Sequence, residues 1–140
     1  RMAEEAYAFR VEPKPYAAEL LRRWKARGIR LAVATANHEK LFAPALRRAG
    51  IYDCFDAFTT LAEVKRGKGF PDIYLRTAEK LALPPADCLV LEDILAGIRG
   101  ARAGGFQTAA VADPSNRHSR EALTREADLF LQDFSEALRW

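Results

Sequence analysis

Three short segments hold the residue types that chemistry on a phosphate ester would need: Thr35-Ala36-Asn37, Lys68 in Lys65-Arg66-Gly67-Lys68-Gly69-Phe70-Pro71-Asp72, and Glu92-Asp93. A hydroxyl and nearby backbone N–H groups can bind non-bridging phosphate oxygens, while an ammonium offsets their charge. Adjacent carboxylates suit Mg²⁺, a hard cation that prefers oxygen and often takes only one or two protein carboxylates. Such an ion would screen the repulsion between an anionic nucleophile and an anionic substrate. Each segment also has a plainer role when taken alone. Thr35 could cap the next helix. Lys68, between two glycines, could be an ordinary exposed cation. Glu92-Asp93 could be an acid pair at a helix N-terminus, favoured by the macrodipole.

The elements that must position these groups follow from the hydrophobic pattern. Pro15 opens a helix whose Tyr16, Leu20, Leu21 and Trp24 share a face, and Gly28 ends it. Residues 29–34 are a nearly continuous apolar run, the pattern of a strand buried on both faces. A second helix carries Leu41, Phe42, Ala45, Leu46 and Ala49 and stops at Gly50, and residues 57–61 read as the next strand. Pro71 starts a helix with Tyr74, Leu75, Ala78 and Leu81 inward, and residues 88–91 form the most apolar strand. A short helix through Ala96, Ile98 and Ala101 ends at Gly104-Gly105, with strand candidates at 108–111 and 129–131. Alternating strands and helices predict an α/β fold with a parallel sheet covered on both faces. In such a sheet ligands bind beyond the carboxyl ends of the strands. Thr35 and Glu92-Asp93 fall at such ends, with Lys68 in a loop on the same side.

The chain has 140 residues, 49% of them apolar, which is enough for one folded core. No apolar run approaches the roughly 20 residues of a membrane-spanning helix, and no signal-peptide core opens the sequence, so a cytoplasmic protein is expected. The formal charge of +3 is small and its cations are dispersed, the pattern of a solvated surface rather than a nucleic-acid face. Cys54 and Cys88 sit in apolar surroundings without a partner at metal spacing, and buried, reduced thiols are expected. Residues 1–14 break the rhythm. Residues 1–10 read as a charged helix, followed by the proline-stiffened link Val11-Glu12-Pro13-Lys14-Pro15.

The three segments resemble motifs of the haloacid dehalogenase (HAD) superfamily, in its β-phosphoglucomutase-like phosphatase branch. Val33-Ala34-Thr35-Ala36-Asn37 is similar to the second motif, and Lys68-Gly69-Phe70-Pro71-Asp72-Ile73-Tyr74-Leu75 to the third, usually Lys-Pro-x-Pro-Asp-x-Tyr-Leu. Leu91-Glu92-Asp93 with Ala96-Gly97-Ile98, Ala101 and Gly104-Gly105 resembles the fourth. The resemblance runs from about Pro15 to the C-terminus. It implies a three-layer α/β/α, Rossmann-like core over residues 15–140, with residues 1–14 the remnant of a helical cap and linker. It further implies that Thr35, the backbone at Ala36, and Asn37 bind phosphate, and that Lys68 bridges phosphate and nucleophile. Asp93 would bind Mg²⁺ directly, with Glu92 in support. The implied activity is Mg²⁺-dependent hydrolysis of a small phosphorylated metabolite through an aspartyl-phosphate. The alternatives are a sugar phosphomutase, which needs a cap to hold the sugar, and a non-catalytic α/β module that binds phosphate or a partner chain.

The sequence departs from the pattern in three places. Gly69 stands where proline is usual, and Ile94 where the branch often has serine. The first motif is missing: no Asp-x-Asp occurs, so the nucleophile has no counterpart in this chain. The family's first-motif strand lies between the strands ending at Ala34 and Leu91, so its absence would leave a gap one strand wide. A fragment, inactive alone, or a chain completed by a second polypeptide or a second copy is therefore expected, and Arg1 as first residue agrees with a fragment.

Overall fold

The structure, a computed structural model, describes residues 6–9, 16–36 and 38–140. Six parallel strands run β1 Ala6–Phe9, β2 Arg30–Thr35, β3 Ala57–Thr60, β4 Cys88–Glu92, β5 Gln107–Val111 and β6 Leu129–Leu131. They form one sheet in the order β3-β2-β1-β4-β5-β6. Five helices connect them: α1 Ala17–Ala26, α2 Glu39–Arg48, α3 Asp72–Leu81, α4 Leu95–Ala103 and α5 Arg120–Glu126.

Strand alternation sorts the core into layers. Leu31 and Val33 of β2, Leu89 and Leu91 of β4 and Val111 of β5 pack with Leu20, Leu21 and Trp24 of α1 and Phe42 and Leu46 of α2. The intervening Ala32, Ala34, Cys88 and Val90 face Ile73, Tyr74 and Ala78 of α3 and Ala101 of α4. Farther along, Ile98 of α4 and Leu123 of α5 close over Ala110. The three-layer α/β/α expectation is met. Three apolar residues of the expected helix faces point elsewhere: Leu41 and Leu75 are exposed, and Tyr16 precedes α1 with a left-handed φ of 70°. Neither cysteine is in a disulfide; Cys88 is buried, with its thiol toward the Pro84 carbonyl, and Cys54 is half-buried.

The main correction concerns the N-terminal segment. Ala6–Phe9 is not part of a charged helix but the central strand, and the gap expected between β2 and β4 is filled. It pairs Ala6 with Arg30 through Phe9 with Val33 on one side, and Ala6 with Cys88 through Ala8 with Val90 on the other. Two strands buried on both faces cannot leave facing backbone groups unmade. That demand on β2 and β4 outweighs the weak helical tendency suggested by Arg1, Glu4, Glu5 and Arg10. The overlooked signal was the small–aromatic alternation Ala6-Tyr7-Ala8-Phe9, period two rather than 3.6. Residues 1–5, the link at 10–15, and with it the expected helix start at Pro15, lie outside the described residues.

A proline in the slot tests this placement, because it removes a ladder N–H from a strand paired on both sides. Ala8→Pro is expected to lower stability by about 1–3 kcal/mol for each buried backbone bond lost, measured by denaturant unfolding. In the unmodified monomer, amides of Ala32 to Ala34 and Leu89 to Leu91 should exchange slowly with deuterium. Fast exchange there would show the slot empty.

Candidate functional site

The strand order reverses between β1 and β4: the chain winds outward through β2 and β3, then crosses back to β4 and continues to β6. The carboxyl edge at such a reversal is where open α/β sheets form crevices. Through β1, Ala32 stands level with Val90, and three residues on along each strand come Thr35, which ends β2, and Asp93, just after β4. Two inter-strand spacings put their backbones about 10 Å apart.

Glu92, the last residue of β4, is 3% exposed. Its Oε2 accepts hydrogen bonds from Lys68 Nζ at 2.7 Å and from the Tyr74 hydroxyl at 2.9 Å. Its Oε1 accepts from the backbone N–H of Asp93 at 3.2 Å. Lys68 reaches this carboxylate because the loop before α3 lies directly on α4. A Cβ on Gly100 would stand 2.2 Å from the Lys68 carbonyl oxygen and 2.7 Å from that of Phe70. A Cβ on Gly97 would stand 2.3 Å from Cγ of Glu92. These two glycines are the notches that admit the loop and the carboxylate.

The far end of the loop is tied down by Arg66, whose Nε and Nη2 both bond Asp72 at the start of α3. That guanidinium holds the Asp72 carboxyl below its ordinary range and also lies 4.5 Å above the Phe70 ring. On the other side, buried Asn116 donates Nδ2 to the carbonyls of Asp93 at 2.9 Å and Val111 at 3.0 Å. This fixes the backbone of the β4–α4 turn.

The plainer roles weighed for the three segments are not the ones observed. Thr35 does not cap α2; His38 does, accepting from the Lys40 N–H. The Lys68 side chain is 13% exposed and paired, not a free surface cation. Glu92 and Asp93 precede α4, whose first turn contains no acid and whose N-cap is Ile94, without a side-chain bond to the helix. Thr35 and Asp93 are buried at the edge, while Ala36 is exposed beside Thr35. Asn37 lies outside the described residues. Thus Lys68 and Glu92 meet directly, and Thr35 is the last residue of β2, the strand on the other side of β1.

Sequence reasoning treated Tyr74 as core and passed over Asn116. The signal for Tyr74 was available, since a tyrosine on the buried face of a helix needs a partner for its hydroxyl. Asn116, in Asp113-Pro114-Ser115-Asn116, carries no such signal; its place is set by the fold.

As a metal site the described residues fall short. They contain no group of three or more His, Cys, Asp or Glu side chains able to hold an ion. Both Glu92 oxygens already accept protein hydrogen bonds.

Gly100→Ala tests the loop's dependence on α4. Overpacking costs about 1–3 kcal/mol, and the helix propensity of alanine returns about 1. The atoms it would strike are backbone carbonyls, so a net loss of about 1–2 kcal/mol is expected by denaturant unfolding. A neutral or stabilised variant would show that the loop does not rest on this helix.

Comparison with known proteins agrees with this geometry. Residues 2–105 match the haloacid dehalogenase-like hydrolase family model. The chain is 41% identical over 128 residues to Protein CbbY of Rhodobacter capsulatus, covering 88% of this chain and 54% of that protein. It is 35% identical over 122 residues to Hexitol phosphatase A of Escherichia coli, covering 87% and 54%. The crystal structure of a CbbY variant from Rhodobacter sphaeroides in complex with xylulose-(1,5)bisphosphate superimposes with a TM-score of 0.80 at 32% identity, covering 88% of this chain and 55% of that one. The chain therefore spans about half the length of the curated relatives it matches. With its sheet order, its edge residues and its matched sequence in agreement, the chain belongs to the haloacid dehalogenase-like hydrolase family.

Proposed function

We propose that this chain carries the phosphate-binding part of a phosphatase that acts on a small phosphorylated metabolite, a sugar or sugar-alcohol phosphate. The observation that carries this reading is Lys68 held at the carboxyl edge by buried Glu92, with Thr35 across the central strand. The Thr35 hydroxyl and the backbone around Ala36 would donate to non-bridging oxygens. Lys68 has three ammonium donors, of which Glu92 takes one, and the others would neutralise the phosphoryl group. The names of the relatives supply the substrate class: one is a hexitol phosphatase, and a CbbY relative was crystallised with a sugar bisphosphate.

The reaction proposed for the whole protein passes through an aspartyl-phosphate. It needs a carboxylate nucleophile that this sequence lacks. Turnover by this chain alone is therefore not expected. Mg²⁺ belongs to the proposal through the family resemblance and Asp93. The described residues do not complete a site for it.

Binding can be tested without turnover. Inorganic phosphate that binds only the folded chain raises its melting temperature. The rise should be present in the unmodified chain and lost in Lys68→Met and in Thr35→Val. An equal rise in all three proteins would place the anion elsewhere and defeat the proposal.

Mg²⁺ alone should give no saturable heat in a calorimetric titration, because the ion surrenders its water reluctantly to a single carboxylate. Tight stoichiometric binding would mean that other groups of the chain complete a site.

A further inference from the structure

We propose that Tyr74 is a positioning residue for Lys68, acting through the Glu92 oxygen that both side chains share. Lysine carries its charge on a flexible four-carbon stem, so one contact does not by itself fix the direction of the ammonium. What fixes it here is the orientation of the acceptor. The terminal torsion of a glutamate is broad, and a carboxylate held by one donor can turn about it. Glu92 is held at both oxygens: Tyr74 and Lys68 meet at Oε2, and the Asp93 N–H bonds Oε1. Its stem lies against Gly97, where even a methyl group would not fit.

The Tyr74 hydroxyl is itself a rigid reference. It comes from α3, its residue is 1% exposed, and its ring packs edge-on against Phe106 with centroids 6.1 Å apart. The cation from the loop, the carboxylate from β4 and the hydroxyl from α3 are thereby linked at one oxygen. Removing the hydroxyl would leave Glu92 buried with one donor fewer at Oε2. Apart from Lys68 itself, only the Asp93 N–H at 3.2 Å would then hold the carboxylate, so the two could shift together. Because the pair forms without substrate, this role of Tyr74 stands or falls independently of the phosphatase activity proposed above.

The test uses the whole chain with ¹⁵N-labelled lysine, reading the Lys68 ammonium signal by NMR and assigning it by its loss in Lys68→Arg. The unmodified chain should show a Lys68 ammonium protected from proton exchange, and Glu92→Gln should abolish that protection. Tyr74→Phe should shift the signal and speed its exchange about five- to tenfold, the effect of losing one hydrogen bond. Thr77→Val supplies the control for a merely structural effect. It deletes another buried hydroxyl bond on the same helix, from Thr77 Oγ1 to the Ile73 carbonyl at 2.7 Å. It should lower the melting temperature and leave the Lys68 signal in place.

If Tyr74→Phe does not fold, fluorotyrosine at position 74 keeps the hydroxyl while altering its donor strength, and it should still shift the signal. An unmoved Lys68 signal in the folded Tyr74 variant, or the same change in Thr77→Val, would overturn the role of Tyr74. An unprotected Lys68 in the unmodified chain would overturn the pair itself.

Discussion

The arrangement at the sheet edge depends on one constraint: a carboxylate buried at the end of β4 must not be left alone. Removing an ion from water costs several kcal/mol even after the protein relaxes, and breaking one partner of such a pair typically costs about 3–5 kcal/mol. Glu92 meets this demand with Lys68, Tyr74 and its neighbour's N–H. The demand propagates outward. To bring an ammonium to Glu92, the loop before α3 must fold down onto α4, and α4 must be bare where they touch. Hence Gly97 and Gly100 occur in a helix interior, where each costs about 1 kcal/mol relative to alanine. The Arg66–Asp72 bond at the loop's far end then adds restraint, as an exposed pair worth little alone.

The sheet sets where this cluster can act. Its order reverses between β1 and β4, where open α/β sheets form crevices, and Thr35 and Glu92-Asp93 are the residues at which β2 and β4 leave the sheet. Because strands have a fixed spacing, the distance across the crevice follows from the strand order and register alone. Side-chain hydrogen bonds then adjust direction within that frame. Asn116 belongs to this second level: it holds the carbonyls of Asp93, just after β4, and of Val111, at the end of β5.

How much of this was legible in the sequence differs by type of interaction. Strands β2 and β4 were readable because burial on both faces leaves an unbroken apolar run, as in Leu89-Val90-Leu91, while β3, β5 and β6 were readable from short apolar runs between helices. The helices were readable from their period, although Leu41 and Leu75 show that an apolar residue within the period can still face solvent. Thr35, Lys68 and Glu92-Asp93 stood out by position, at strand ends or ahead of a helix. The Lys68–Glu92 bond was not legible, because it joins residues 24 apart through a loop whose path no local pattern fixes. Nor was β1. Four residues are too few for periodicity to outweigh the charges beside them, and their state is decided by two strands far away in sequence.

β1 also separates what the fold requires of the central slot from what the proposed chemistry requires. Closing the sheet takes backbone N–H and C=O groups, which every residue except proline supplies, so an extended segment with no special side chain can do it. Ala-Tyr-Ala-Phe meets that requirement, and the gap that motivated a strand-donating partner is filled. Acyl-phosphate chemistry asks for something specific at the same place. A carboxylate at the carboxyl end of the central strand would have the end of β2 on one side and the end of β4 on the other. Each strand would be about 5 Å away, a distance that backbone spacing fixes whatever the side chains are. Ala6–Phe9 contains no acid, and no Asp-x-Asp exists elsewhere in the chain. Lys68 and Glu92 thus stand at the edge of this frame, while no Asp-x-Asp stands in it. What closes the sheet is therefore separable from what the proposed chemistry would need: the backbone of β1 can supply the first without the second.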